Sequence, residues 1–116
     1  IRAVTYPPGS IVAYDNAVSY KVSFVSLGEA AIIKHGESTP YAALMSGEYF
    51  GLIPMVLGEK TTASIVTTTY CEVFELSAED YEEIRIQHPE FNDIIKKVAS
   101  EQSRELIQRI IDKVII

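Results

Sequence analysis

A chain of 116 residues is long enough for one domain with a buried core and too short for two. With 47% hydrophobic and 22% charged residues it is too apolar for disorder, and its formal charge of −6 argues against a nucleic-acid phosphate backbone or a polybasic membrane anchor. Its single cysteine, Cys71, excludes an internal disulfide and fits a reducing compartment.

In chain order, Ile1 to Thr5 is apolar and β-branched and predicts a strand. Tyr6-Pro7-Pro8-Gly9-Ser10 forces a turn, because proline fixes φ and glycine permits reversal. Ile11 to Tyr14 predicts a short strand, and Asp15-Asn16 a turn in which asparagine tolerates the left-handed region. Val18 to Leu27 predicts a strand ending at Gly28, and Ala30 to Lys34 another. His35 to Pro40 is a polar hairpin tip, after which Tyr41 to Met45 returns as a strand. Ala63 to Thr69 and Tyr70 to Leu76 are rich in threonine, valine, isoleucine and aromatics and predict two more strands, with Cys71 a buried structural thiol. Many short strands at close spacing imply an antiparallel roll or barrel.

The period changes at Ser77. Ser77-Ala78-Glu79-Asp80 is a capping box with two acids in the first helical turn. Tyr81, Ile84 and Ile86 give that helix its apolar side, and Pro89 stops or restarts it. From Glu90, apolar residues recur at helical spacing from Phe91 to Ile115, with a polar break over residues 100–105. The last segment is too apolar to face water, so it is expected to cover a core, a ligand or a partner. The fold class is therefore α+β: a single domain over 1–116, with an antiparallel, jelly-roll-like β-roll over about 1–76, a short cassette helix, and two C-terminal helices at about 78–87 and 90–115. No apolar run reaches the roughly 18 residues of a membrane span, and no signal-peptide pattern is present. Ile1 opens directly in strand-like sequence, so the chain is expected to be a fragment of a larger protein.

The stretch from Gly47 to Ile65 organises the rest. Tyr49-Phe50 runs into Gly51, which lets the backbone come close to its surroundings. Leu52 to Leu57 then predicts one helical turn whose first N–H groups are free to point at an anion. Gly58 ends the turn, and Glu59-Lys60-Thr61-Thr62 leads to the strand at Ala63.

These residues resemble the phosphate-binding cassette of cyclic-nucleotide-binding domains, where Phe-Gly-Glu opens the turn and Arg-Thr-Ala-Ser closes it. Phe50-Gly51 and Thr62-Ala63-Ser64 match. The specific likeness is to the binding domain of hyperpolarisation-activated, cyclic-nucleotide-gated channels. It is carried in order by Pro8-Gly9, Phe24-Val25 with Gly28, Tyr49-Phe50-Gly51, Thr62-Ala63-Ser64, Thr69-Tyr70-Cys71 and Leu76-Ser77, and covers about residues 6 to 108.

In such domains a glutamate holds the ribose hydroxyl and an arginine pairs with the cyclic phosphate. Here those positions are Leu52 and Thr61, which offer neither an acceptor nor a charge. The resemblance places a possible cyclic-nucleotide site at Gly51, Leu52, Ile53, Pro54, Lys60, Thr61, Thr62 and Ala63, with Leu106 on the C-terminal helix as an apolar lid. Pro54 removes an N–H from the phosphate turn, and Lys60 stands one position from the missing arginine. Gln102 and Glu105 occupy positions where the family places base-capping residues. The ligand implied is cAMP or cGMP, bound weakly or not at all, and no other cofactor is expected.

His35 and His88 lack a second histidine or cysteine nearby, so no metal site is expected, and no acid–base couple, nucleophile elbow or Walker loop marks an enzyme. The resemblance implies a regulatory module in the cytoplasmic part of a membrane channel or exchanger, partnered by the transport region of the same parent. Two other readings are a true cyclic-nucleotide sensor with non-standard contacts and an oligomerisation module using the apolar face of Leu106 to Ile115. A DNA-binding activator is disfavoured by the acidity and by the lack of a helix-turn-helix in the chain.

Overall fold

The computed structural model describes residues 1–90 and Asp93. Its eight strands are β1 (Arg2–Tyr6), β2 (Ile11–Ala13), β3 (Lys21–Leu27), β4 (Glu29–Lys34), β5 (Ala42–Met45), β6 (Tyr49–Phe50), β7 (Ala63–Thr67) and β8 (Cys71–Ser77). Helix α1 (Leu52–Leu57) lies between β6 and β7, and α2 (Ala78–Gln87) follows β8. The strands form two antiparallel sheets, ordered β1-β8-β3-β6 and β2-β7-β4-β5. This is the α+β antiparallel roll that the strand pattern implied. The expected helix at 90–115, with Leu106, lies outside the described residues apart from its first positions.

Strand β3 explains why the roll has two cores. Its residues alternate between faces, and both faces are covered, so Val22 to Val25 are all buried. Val22 and Phe24 face the helices, in a cluster with Leu52 of α1, Leu76 of β8 and Tyr81 of α2. Val25 faces the other way, packing with Val12, Ala30, Leu44 and Ile65 from the second sheet. The register of β3 on β8 keeps each face consistent, with Val22 opposite Leu76 and Val25 opposite Val73.

The turns use the expected chemistry. Asn16 is left-handed at φ 53°, and Ser77 caps α2 by accepting from the Asp80 N–H at 3.1 Å. Cys71 is buried, with its Sγ 3.3 Å from the Glu29 carbonyl. The strand expected from Val18 begins instead at Lys21. Residues 14–19 are tied to the far side of the cassette: Thr61 N–H donates to the Ala17 carbonyl, and the Ser19 hydroxyl donates to the Gly51 carbonyl. Among the described residues no helix is long and apolar enough to cross a membrane.

Candidate functional site

The cassette is set by Gly51. Strand β6 pairs with β3 through Tyr49–Phe24 and Phe50–Ser23, and Gly51 then turns the chain at φ 93° to start α1. A Cβ on Gly51 would stand 2.6 Å from the Lys21 carbonyl oxygen, so only glycine allows the cassette to lie this close to β3. No side chain caps α1, and Pro54, its third residue, carries no N–H to offer. Its carbonyl instead closes the helix, accepting from the N–H groups of Gly58 and Glu59.

Beside this turn lies a cavity of about 310 Å³ lined by Tyr49, Phe50, Gly51, Leu52, Ile53, Pro54, Glu59, Lys60 and Thr62. It therefore brings together Gly51, Leu52, Ile53, Pro54, Lys60 and Thr62 of the residues expected at the site. It leaves out Thr61 and Ala63, and Leu106 lies outside the described residues.

Leu52 touches the cavity, but its side chain is only 4% exposed and packs with Val22, Phe24, Leu76 and Tyr81. Thr61 is 6% exposed, and its hydroxyl is committed on the opposite side: it donates to the Tyr14 carbonyl at 2.5 Å and accepts from the Ala17 N–H at 3.0 Å. Ala63 is buried in β7. Lys60 and Thr62, two residues apart and both exposed, share the cavity wall while Thr61 points away.

Sequence reasoning passed over Glu59 and Tyr49. Glu59 places a carboxylate on the same wall as Lys60. Tyr49 is half-buried against Phe24, with ring centroids 6.2 Å apart, and burial pushes its phenol above the ordinary value of 10.0, so it stays neutral. The period-2 pattern around 59–62 carried a signal for the alternation; the partner of Thr61, 47 residues away in sequence, did not.

A second cavity, about 280 Å³, lies across Gly51 and is lined by Tyr6, Val12, Val18, Lys21, Phe50 and Thr61 among others. Its lysine is already engaged. Glu75, 5% exposed, accepts from Lys21 Nζ at 2.5 Å, the Tyr6 hydroxyl at 2.6 Å and Arg2 at 3.3 Å. Burial pushes the Glu75 carboxyl up, but the hydrogen bonds from Lys21 and Tyr6 and the Lys21 charge outweigh it and hold it below its ordinary 4.5. Beyond the cassette exit, His35 Nδ1 pairs with the Asp15 carboxylate, and the His35 backbone N–H donates to the Thr62 carbonyl at 3.0 Å. Among the described residues no cluster of three or more histidine, cysteine or acidic side chains is placed to hold a metal.

The family model of the cyclic nucleotide-binding domain matches residues 3–88. The chain belongs to that family. Over 99 residues, 85% of its length, the domain is 29% identical to potassium/sodium hyperpolarization-activated cyclic nucleotide-gated channel 1 of Homo sapiens. Over 113 residues, 92% of its length, it is 29% identical to cyclic nucleotide-gated channel alpha-4 of Mus musculus. The domain spans only 11% and 19% of those relatives. A solved structure from Geobacter metallireducens, named for cyclic nucleotide binding, superposes with a TM-score of 0.70 at 13% identity, covering 85% of this chain and 73% of its own. At that identity the superposition speaks for the roll alone.

Proposed function

We propose that the domain is the cytoplasmic regulatory module of a larger membrane channel or exchanger, without enzymatic activity, and that its pocket is degenerate, so that cAMP and cGMP bind weakly or not at all. The channel assignment is supported by the names of the relatives and the match across residues 3–88. The degeneracy is supported by one observation: the two positions that would hold ribose and phosphate are occupied by side chains turned to structural work. Leu52 fills an apolar cluster and Thr61 latches the 14–17 turn.

Charge-assisted hydrogen bonds contribute on the order of 1.5–3 kcal/mol each, so losing both weakens binding by roughly a hundredfold to ten-thousandfold. The surrounding charge works in the same direction, because a net −6 chain repels an anionic ligand. Calorimetric titration with cAMP and with cGMP tests the reading. The expected dissociation constants are about 100 μM or higher. Low-micromolar binding of either nucleotide would overturn degeneracy in favour of a sensor with non-standard contacts.

A further inference from the structure

The charges around the two cavities are not equivalent. Arg2 and Lys21 both engage Glu75, Lys34 Nζ lies 3.6 Å from the Tyr41 ring centroid, and Arg85 pairs with Glu82. Lys60 is the one lysine or arginine among the described residues that makes no ion pair, hydrogen bond or ring contact through its side chain, and it stands on the wall of the cassette cavity. Thr62 shares that wall, and its hydroxyl has no protein partner among the described residues. A cation and a hydroxyl on one side of an extended segment can meet phosphate oxygens together. By contrast, nothing on the wall is placed to grip a ribose hydroxyl through charge except Glu59, which would repel the phosphate beside it.

We propose that the cassette recognises the phosphate of its ligand through Lys60 and Thr62 and does not read the ribose 2′-hydroxyl. The ligand class is a small organophosphate, a cyclic diester or an open monoester, attached to a flat apolar group that rests against Ile53 and Pro54. This rests on the degenerate reading of the pocket and adds where the residual affinity comes from. The anchor has moved by one residue, from a position that now faces inward to a neighbour that faces the cavity. Because Lys60 is exposed, its attraction is screened by salt, and Glu59 partly cancels it.

Titration of the whole chain at about 20 mM salt, followed by NMR chemical shifts, tests the proposal with cAMP, 2′-deoxy-cAMP, AMP and adenosine as probes. cAMP and 2′-deoxy-cAMP are expected to bind within about twofold of each other, with adenosine about tenfold weaker. Lys60→Gln is expected to weaken cAMP about tenfold, Glu59→Gln to strengthen it about threefold, and raising salt to about 300 mM to weaken it several-fold. Both side chains are exposed, so neither change threatens folding. Three results overturn the proposal: adenosine binding as well as cAMP, a tenfold loss for the 2′-deoxy nucleotide, or Lys60→Gln without effect. Absence of any binding at millimolar concentration also overturns it while leaving the degenerate reading intact. Low-micromolar cAMP binding that is indifferent to Lys60 overturns both.

Discussion

At the scale of single residues, Gly51 decides whether a cassette exists. Two demands meet there: a φ of 93°, and a Lys21 carbonyl 2.6 Å from where a Cβ would stand. Gly58, at the other end of α1, meets only the first demand, with φ 68° and nothing within 4 Å of its Cβ position. The pair therefore separates backbone strain from close approach. Gly58→Ala is expected to cost about 1 kcal/mol in urea unfolding, the usual penalty for a left-handed alanine. Gly51→Ala is expected to cost about 3 kcal/mol or more, because β6 and α1 must move off β3. Equal losses would show that the approach to Lys21 has slack. The need for glycine at 51 was legible from Phe50-Gly51 and the turn that follows. The reason for it was not, since the carbonyl it avoids lies 30 positions earlier.

At the scale of elements, Leu52 of the cassette and Thr61 of the segment leading out of it are both engaged in contacts that hold the roll together. The Leu52 side chain joins α1 to β3, β8 and α2. Thr61 joins the segment before β7 to the 14–17 turn through both its hydroxyl and its backbone, and the Asn16 N–H donates to its carbonyl at 3.0 Å. Restoring the family's acid and arginine should therefore harm the fold before it helps a ligand. Leu52→Glu removes a buried leucine and buries a carboxylate, with an expected loss of about 3–5 kcal/mol. Thr61→Arg breaks the latch and forces a cation into a 6% exposed position, with an expected loss of about 2–3 kcal/mol. Thermal melts of both variants and of the double variant check this. A double variant that melts like the parent and binds cAMP in the low micromolar range would mean these side chains swing freely into the cavity. Sequence alone showed that both positions depart from the pattern of the domains it resembles, but what each side chain packs against or bonds to depends on partners brought in by the roll. The same dependence explains β3: its apolar run began at Val18, yet the segment before Lys21 is drawn away by Thr61 and Gly51.

At the scale of the whole molecule, the order of strands and helices among the described residues was legible from period and turn chemistry, while the neighbours within each sheet were not. Sheet order β1-β8-β3-β6 is what gathers Arg2, Tyr6 and Lys21 from separate strands around one buried carboxylate, that of Glu75. No local pattern announces it, because each of these residues is unremarkable in its own strand. The network makes a testable claim about pH. Glu75 titrates below its ordinary 4.5 in the folded chain, so its contribution is complete above that value and is lost as pH falls through the lowered one. Burial pushes the Lys21 ammonium down, but its hydrogen bonds to Glu75 and Tyr6 and the Glu75 charge outweigh this and raise it above 10.5. Burial and the bond to Glu75 raise Tyr6 above 10.0. A raised group contributes fully below its unfolded value and loses that contribution as pH climbs through the folded one. The network is thus at full strength between about pH 4.5 and 10.0 and weakens outside that window. Glu75→Gln keeps the shape and removes the charge that holds Lys21 and Arg2 across β1, β3 and β8. A fully buried pair broken this way costs about 3–5 kcal/mol; Lys21, 35% exposed, recovers some hydration, so about 2–3 kcal/mol is expected at neutral pH. Urea midpoints of the two proteins should converge as pH is lowered from about 5 to about 3, since acid removes from the parent what the substitution has already removed. Curves that stay parallel through that range would mean the carboxylate is not the group that couples the three strands.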